Sequence, residues 1–163
     1  LLKNPKSKLS DATPVVRTTT HWYLALSKFE KPLQEWLAKK TDWRPTVVNF
    51  ALGQIREGLP ERSMTRDLTW GIPVPLDDPD AAGKVLYVWF DAPIGYVSFT
   101  STLLEREGGS PTDYEKYWKS PDSKVVHFIG EDNIVFHALI WPAMLMAEGT
   151  YSLPHQVVAN SFL

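Results

Sequence analysis

The sequence predicts an α/β fold in which parallel strands are joined by helices. Residues 125–146 are typical of a buried strand, a short polar turn and a helix that opens at Asn133 as its N-cap. Residues 85–90 (VLYVWF) have the β-branched and aromatic content of a central strand buried on both faces. In open α/β sheets, ligands bind beyond the carboxyl ends of the strands, so the residues that follow these two segments are the first candidates for a site.

The N-terminal third of the chain predicts a connector, a strand and two helices. Residues 1–20 contain lysines, prolines and a threonine run, which favours an extended connector. Residues 21–26 are aromatic and apolar enough for a strand. A helix with Pro32 near its first turn follows, and a second helix is predicted over residues 45–57, where apolar residues recur at helical spacing before Gly58.

The remainder of the chain predicts a loop, two helices and a strand around the long segment. Residues 60–75 are interrupted by proline and glycine, which indicates an ordered loop with a short extended part. Pro142 should kink the helix that contains it, because proline cannot donate the helical hydrogen bond. An exposed turn is predicted over residues 77–83, and helices over residues 99–107 and 113–119. A final strand is predicted from Gln156 onward.

Composition limits the classes of function. The 163 residues are 44% hydrophobic, enough for the core of one domain, and contain neither an apolar run near the ~20 residues of a membrane span nor a signal peptide. We therefore expect a soluble, cytoplasmic protein. The absence of cysteine and the scattered positions of four histidines predict no metal site in this chain. A net charge of −2 provides no basic field, so any RNA partner should be bound mainly elsewhere.

Both ends of the sequence suggest a piece of a longer polypeptide. The chain begins at Leu1 without an initiator methionine and stops within the predicted final strand, whose neighbours would be left open. The common nucleotide-binding and hydrolase motifs do not occur.

The most informative polar residues follow the strand predicted at residues 125–129. Gly130 and Asp132 lie in the turn, where they would reach a crevice at the strand end. His137 and Trp141 are four residues apart and share a predicted helix face with Phe136. The residues alone leave two interpretations open: a binding crevice, or a core histidine with an aspartate that only caps the helix.

Three segments together resemble the methionyl-tRNA synthetase family of class I aminoacyl-tRNA synthetases. They are residues 66–75 (RDLTWGIPVP), residues 88–96 (VWFDAPIGY) and residues 127–143, which contain HFIGED, FH and WPA. Residues 6–17 resemble the end of the connective-peptide insertion of that family. The resemblance covers essentially the whole chain in the order and spacing of the family.

The resemblance implies a domain organisation and an activity. Residues 1–26 would be the end of the connective peptide, and residues 27–163 the second half of a split Rossmann-type nucleotide-binding domain, truncated before the Lys-Met-Ser-Lys-Ser loop. The longer enzyme would use ATP, as its Mg²⁺ complex, to activate L-methionine to methionyl-adenylate and would then charge the methionine tRNA. The resemblance allows a zinc ion upstream of this chain and none within it. The fragment alone is expected to be inactive.

The resemblance also assigns a pocket for the methionine side chain. The implied pocket residues are Trp89, Ala92, Pro93, Ile94, Tyr96, Phe136, His137 and Trp141. The Tyr96 hydroxyl and His137 would lie closest to the sulfur, and a turn at Pro93 and Gly95 would aim Tyr96 inward. An ordinary aromatic core is the alternative interpretation.

The remaining implied residues would handle ATP and the reacting charges. The implied ATP-binding residues are Gly130, Asp132, Asn133, Phe162 and Leu163. Residues 160–161 are Asn-Ser where the family often has His-Gly, which leaves the adenine contacts open. Arg66 would be catalytic by neutralising carboxylate or phosphate charge, oriented by Asp67, and an exposed structural ion pair is the alternative.

Two other classes of function remain open. A class I synthetase for branched aliphatic amino acids would share the nucleotide-binding half, but its pocket does not need Tyr96 and His137 together. A non-catalytic nucleotide-binding or interaction module is the other class. Amino-acid-dependent pyrophosphate exchange would distinguish these classes.

Overall fold

The centre of the fold is a parallel strand pair joined by a helical crossover. The computed structural model describes residues 3–161. Strand β5 (Val126–Gly130) pairs in parallel with β6 (Gln156–Asn160), and helix α6 (Trp141–Glu148) lies between them in the chain. This pair with its flanking helices confirms the predicted α/β class and the strands predicted at residues 125–129 and from Gln156 onward. The first of these strands was also predicted to be buried, and that part is wrong, because Phe128 is 75% exposed.

The other elements are short strands and flanking helices. The strands are β1 (Tyr23–Leu24), β2 (Arg62–Ser63), β3 (Thr65–Arg66) and β4 (Val85–Leu86). The helices are α1 (Glu30–Leu37), α2 (Pro45–Glu57), α3 (Val88–Asp91), α4 (Ile94–Arg106) and α5 (Glu115–Trp118). Strand β1 pairs antiparallel with β2, and β3 pairs antiparallel with β4. Over the described residues, the helices are too short or too polar to cross a membrane.

Helices α1 and α2 form the main core with the crossover and β6. Val47, Ala51 and Ile55 lie on one face of α2 at intervals of four residues and are all buried, which confirms the helix predicted over residues 45–57. The core continues through Ala138, Leu139 and Ala143 of the crossover to Val157 and Ala159 of β6. Each fully buried aliphatic side chain of this kind stabilises the fold by about 1.5–3 kcal/mol.

Hydrogen bonds from the segment between α1 and α2 fix β6. Trp43 Nε1 donates to the His155 carbonyl over 2.8 Å, and Lys40 Nζ donates to the Pro154 carbonyl over 3.0 Å. Arg44 Nη1 donates to the Ala159 carbonyl over 2.8 Å at the other end of the strand. Burial lowers the pKa of Lys40. The strand is thus bound at both ends by side chains as well as by its pairing with β5.

The prediction of a central strand over residues 85–90 is wrong. Only Val85 and Leu86 are extended, and the chain then turns into α3. Val88 and Trp89 are more than half exposed, so the segment is not buried on both faces. The Tyr87 N–H donates to the Met64 carbonyl, across to another segment. The N–H groups that follow in the chain donate to carbonyls a few residues back; for example, the Ala92 N–H donates to the Val88 carbonyl over 2.7 Å. Local helical bonds therefore replace the strand ladder that the apolar content indicated.

Two other predicted elements have different boundaries. The strand predicted over residues 21–26 is limited to β1. The helix predicted over residues 99–107 begins at Ile94, so Gly95 lies within the helix, whereas Pro93 belongs to the turn between α3 and α4. Pro93 is the N-cap of α4, a position where its missing N–H costs nothing. Tyr96 is consequently carried by the first turn of a helix.

The segment after β5 is helical but irregular. Asn133 lies in a 3₁₀ turn (Glu131–Asn133) and makes no capping hydrogen bond, so its predicted N-cap role is wrong. A π turn (Phe136–Ile140) follows, and the Trp141 N–H donates to the Phe136 carbonyl five residues back. Pro142 is the second residue of α6, which begins directly after the π turn. The irregularity expected at Pro142 therefore takes the form of a π turn, which accommodates a residue that cannot donate.

The core assignment predicts the cost of a cavity at Leu33. The Leu33→Ala substitution should lower the free energy of unfolding of the 163-residue chain by about 2–5 kcal/mol, because Leu33 is fully buried. The matched control is Leu103→Ala in α4, which should change stability by less than about 0.5 kcal/mol because Leu103 is 56% exposed. Denaturant titration measures both, and equal losses would show that Leu33 is not in the core.

Candidate functional site

Two adjoining cavities lie beside the turn that follows β5. The smaller has a volume of about 100 Å³ and is lined by Trp89, Ala92, Pro93, Tyr96, Asn133, Phe136 and His137. The larger has a volume of about 500 Å³ and is lined by Tyr23, Glu61, Arg62, Ser63, Arg66, Tyr87, Phe90, Asp132, Val135, Phe136 and Ile140. Phe136 lines both cavities, so they lie side by side and together make up the candidate site.

The small cavity forms where two helical faces meet. Trp89, Ala92, Pro93 and Tyr96 have the i, i+3, i+4, i+7 spacing of one helix face, and helical backbone runs through Ala92 and Pro93 from α3 to α4. On the segment after β5, the lining residues have the spacing i, i+3, i+4; they are Asn133, Phe136 and His137. The structure therefore brings together six of the eight residues that the sequence predicted for this pocket.

A hydrogen bond between Tyr96 and His137 connects the two faces. The Tyr96 hydroxyl lies 2.9 Å from His137 Nε2, and His137 Nδ1 lies 3.0 Å from the Asn133 carbonyl oxygen. A carbonyl only accepts, so Nδ1 carries the proton, and in the neutral ring Nε2 accepts from the Tyr96 hydroxyl. Burial lowers the pKa of His137, which favours this neutral form. The hydroxyl proton is therefore already bonded, and the Tyr96 oxygen retains acceptor capacity.

His127 is a buried neighbour of this pair to which the sequence assigned no function. Its ring centroid lies 5.0 Å from that of His137 and 5.2 Å from that of Tyr96. Burial, together with the nearby His137, lowers the pKa of His127 to about 4. No hydrogen-bond partner for its Nε2 exists among residues 3–161. The inward-facing position of His127 in the middle of β5 was the available signal, because alternate residues of a strand point to opposite faces.

Two residues predicted for the pocket lie outside the small cavity. Ile94 is 40% exposed and does not contribute to the lining. Trp141 is buried in a second core cluster, where its ring packs edge-on at 6.5 Å from Trp118. Trp118 in turn stacks on Tyr96 at 6.5 Å. The π turn explains this displacement, because it shifts the helical register between His137 and Trp141 and removes the face that they were predicted to share.

Arg66 is held rigidly at the wall of the larger cavity. Its guanidinium stacks 3.7 Å from the ring centroid of Tyr87. Nη1 donates to Ser63 Oγ over 2.8 Å and to the Thr65 carbonyl over 2.7 Å. A guanidinium has five N–H donors, so three remain on Nε and Nη2, and no acceptor within residues 3–161 bonds to those two nitrogens. These donors are available to an anionic ligand.

Asp67 does not orient Arg66, and that part of the prediction is wrong. The Asp67 carboxylate accepts from Lys84 and lies 3.5 Å from His21 Nε2. The hydrogen bond from Lys84 is the main cause that lowers the pKa of Asp67. Arg66 is the last residue of β3, and its guanidinium bonds to Ser63 and Thr65. The two residues therefore belong to different contacts.

The predicted nucleotide residues that the structure describes lie on the turn after β5. Asp132 is exposed, lines the larger cavity and accepts from Asn133 Nδ2 over 3.0 Å. Gly130 ends β5 with φ −74° and ψ 152°, a conformation that any residue adopts, and lines neither cavity. Asn133 lines the small cavity rather than the one that contains Asp132. Phe162 and Leu163 lie outside the described residues.

The other cavities contain fewer groups that could bind or activate a substrate. Two larger cavities, of about 760 Å³ and about 740 Å³, lie along the loop between β3 and β4. Arg66 lines one of them, but neither contains the buried histidine pair or Asp132. Over residues 3–161, no group of three His, Asp or Glu side chains is arranged to hold a metal ion. The two cavities that share Phe136 are therefore the stronger candidate.

Sequence comparison identifies the class of protein. The family described as tRNA synthetases class I (M) matches residues 1–163, and the chain belongs to this family. It is 52% identical to the methionine–tRNA ligase of Chlorobium limicola over 99% of this chain and 24% of that protein. The methionine–tRNA ligase of Christiangramia forsetii is 53% identical, over 99% of this chain and 23% of that protein. The chain thus spans about a quarter of the length of these relatives.

Structural comparison agrees with the sequence. The methionyl-tRNA synthetase of Mycobacterium tuberculosis, solved in complex with methionyl-adenylate, superposes with a TM-score of 0.71 and 31% identity, over 94% of this chain and 28% of that one. The free form of the same synthetase gives a TM-score of 0.70 and 28% identity, over 96% of this chain and 30% of that one. The family resemblance predicted from the sequence is therefore confirmed.

The low pKa of His127 predicts a pH dependence of stability. Folded His127 takes up its proton near pH 4, whereas an unfolded histidine does so near pH 6.5. Between these values the unfolded chain binds more protons, so stability should fall as the pH is lowered from 6.5 to 4, by about 1 kcal/mol per pH unit for this group. The His127→Phe variant should show a shallower decline, because the contribution of His137 remains. Denaturant titrations at several pH values measure the slopes, and parallel slopes would contradict the assignment.

Proposed function

We propose that this chain forms the methionine side-chain pocket and part of the ATP site of a methionine–tRNA ligase. The full enzyme would activate L-methionine with ATP to methionyl-adenylate and transfer the methionyl group to its tRNA. The observation that carries this proposal is the pair of cavities that share Phe136 as a lining residue. One is small and aromatic, and the other is lined by Arg66 and Asp132. The relatives named as methionine–tRNA ligases and the methionyl-adenylate complex of a structural neighbour support it.

The small cavity suits an unbranched thioether. Its volume of about 100 Å³ accommodates three or four non-hydrogen atoms, since a water molecule takes ~30 Å³ in the liquid. The side chain of methionine has four such atoms. The walls from Trp89 and Phe136, whose ring centroids are 6.0 Å apart, give the polarisable sulfur the aromatic contacts that it favours. Tyr96 and His137 place a polar pair at the same cavity.

The larger cavity suits the nucleotide and the reacting groups. Its volume of about 500 Å³ lies within the range of small-molecule sites. Asp132 would accept hydrogen bonds from the ribose hydroxyls, with Gly130 and Asn133 on the same turn after β5. The three remaining N–H donors of Arg66 would neutralise the charge of the methionine carboxylate and the α-phosphate.

The chemistry then depends on positioning. A carboxylate oxygen of methionine forms a bond to the α-phosphorus of ATP while the bond from that phosphorus to the pyrophosphate oxygen breaks, and no covalent bond to the protein is required. Mg²⁺ would enter with ATP as part of the substrate. Arg66 would favour the reaction because its guanidinium is already fixed by Tyr87, Ser63 and Thr65 before the negative charge develops.

The domain assignments and partners complete the proposal. We assign residues 1–26 to the end of a connective peptide and residues 27–163 to the second half of the catalytic domain. The methionine tRNA, and a zinc ion where the enzyme has one, would be bound mainly by regions outside this chain, in a cytoplasmic enzyme. The isolated 163-residue chain should not catalyse adenylation, because it spans about a quarter of the relatives that carry the activity in their names.

A synthetase for branched aliphatic amino acids is the second candidate. A branched alkyl side chain would gain nothing from the polar Tyr96–His137 pair. A non-catalytic nucleotide-binding module is a third. Pyrophosphate exchange by the full-length protein with methionine, isoleucine, leucine and valine tests all three: exchange with methionine supports the proposal, exchange with a branched amino acid supports the second candidate, and no exchange supports the third.

Asp132 should affect ATP more than methionine. In the full-length protein, Asp132→Ala should raise KM for ATP roughly ten- to a hundredfold, because charge-assisted hydrogen bonds to the ribose are worth ~1.5–3 kcal/mol. KM for methionine should change little. The control is Asp122→Ala, which removes an exposed carboxylate on another surface. A collapse of methionine affinity with unchanged ATP affinity would place Asp132 in the amino-acid site instead.

Tyr96 should contribute to the choice of methionine over norleucine. In the full-length protein, Tyr96→Phe should narrow the ratio of kcat/KM for the two amino acids by no more than about tenfold, because sulfur is a weak acceptor. In addition, the hydroxyl proton is already bonded to His137. Adenylation kinetics with both amino acids measure the ratio. If the ratio does not change, the pocket selects by shape alone.

A further inference from the structure

The Thr65 hydroxyl is a buried link between the N-terminal segment and β3. Thr65 is 1% exposed, although its side chain is polar. The Trp22 N–H donates to Thr65 Oγ1 over 3.2 Å, and His21 Nδ1 lies 2.9 Å from the same oxygen. A hydroxyl has one proton and two acceptor positions, so these two contacts satisfy a group that would be costly to bury alone. Residues 21 and 22 therefore fix the Thr65 side chain.

The carbonyl of the same residue fixes Arg66. The Thr65 carbonyl accepts from Arg66 Nη1 over 2.7 Å and from Ser63 Oγ over 3.1 Å. Ser63 Oγ also accepts from Arg66 Nη1 over 2.8 Å. Thr65 is thus bound through its side chain to residues 21 and 22 and through its backbone to the guanidinium.

A second set of contacts holds the other neighbour of Arg66. The Asp67 carboxylate lies 3.5 Å from His21 Nε2 and accepts from Lys84. Lys84 Nζ also donates to Thr19 Oγ1 over 3.0 Å. The two ring nitrogens of His21 therefore face Thr65 and Asp67, the residues on either side of Arg66. Displacing this ring would remove one contact from each neighbour of the guanidinium.

We propose that Thr65 is a positioning residue for Arg66 and that His21 fixes the Thr65 hydroxyl. The N-terminal segment would then set the direction in which the guanidinium enters the larger cavity. Arg66 itself would touch the substrates, whereas Thr65 and His21 would act only through it. The inference rests on the proposed function, in which Arg66 neutralises the charge of the reacting groups.

The test uses adenylation by the full-length protein. Thr65→Val keeps the β-branched shape but removes the hydroxyl, and we expect kcat to fall about tenfold with little change in KM for methionine. Thr65→Ser retains the hydroxyl and should restore most of this loss. If Thr65→Val does not fold, as judged by its thermal unfolding, His21→Phe serves instead, because it retains a ring on a partly exposed residue. A normal kcat in the folded variant would overturn the inference.

A double-mutant cycle with Arg66→Ala separates this inference from the proposed function. If Thr65 acts through Arg66, Thr65→Val should cause almost no further loss of kcat once Arg66 is alanine. If the double variant instead loses kcat by the product of the two single losses, Thr65 has a structural effect that is independent of Arg66. That result would overturn the inference and leave the role of Arg66 intact. A normal kcat in Arg66→Ala would instead overturn the role proposed for Arg66. His21→Phe should give the same cycle with Arg66→Ala.

Discussion

The candidate site depends on the contact between Tyr96 and His137. One residue lies on the first turn of α4 and the other on the helical segment after β5, and their hydrogen bond closes the small cavity between them. The bond requires a neutral imidazole with its proton on Nδ1, and the Asn133 carbonyl and the burial of the ring provide both conditions. His127 adds a second neutral imidazole behind the pair. The polar chemistry of the pocket is therefore set by burial as much as by residue identity.

The sequence predicted those parts of the fold in which apolar spacing has one interpretation. The intervals of α2 fit only a helix, and the apolar run of β5 is too short for one. The prediction of a central strand over residues 85–90 failed because β-branched and aromatic residues also occur in a half-exposed helix that lines a cavity. The contrary signal was the i, i+3, i+4, i+7 spacing of Trp89, Ala92, Pro93 and Tyr96. Pro93 and Gly95 obscured it, because proline and glycine are unfavourable within helices.

The sequence predicted most of the residues that line the site but not the hydrogen bonds that they make. Six of the eight proposed pocket residues line one cavity. They could be predicted together because the family resemblance implies all eight at once. Their hydrogen bonds were not predictable, because the tautomer of His137 and the burial of His127 depend on tertiary packing. The error at Asp67 has the same cause, because the partners of its carboxylate, His21 and Lys84, lie far from it in the chain.

The π turn has a consequence for how substitutions in this helix are interpreted. A π turn is equivalent to a one-residue insertion into an α-helix, and one residue corresponds to ~100° of rotation about the axis. Residues before Phe136 and residues after Trp141 therefore follow two different phases of the helical repeat. A tolerance profile across this segment would show two periodic patterns separated by a phase jump. Averaging it as one amphipathic helix would mix positions that face the cavity with positions that face the second core.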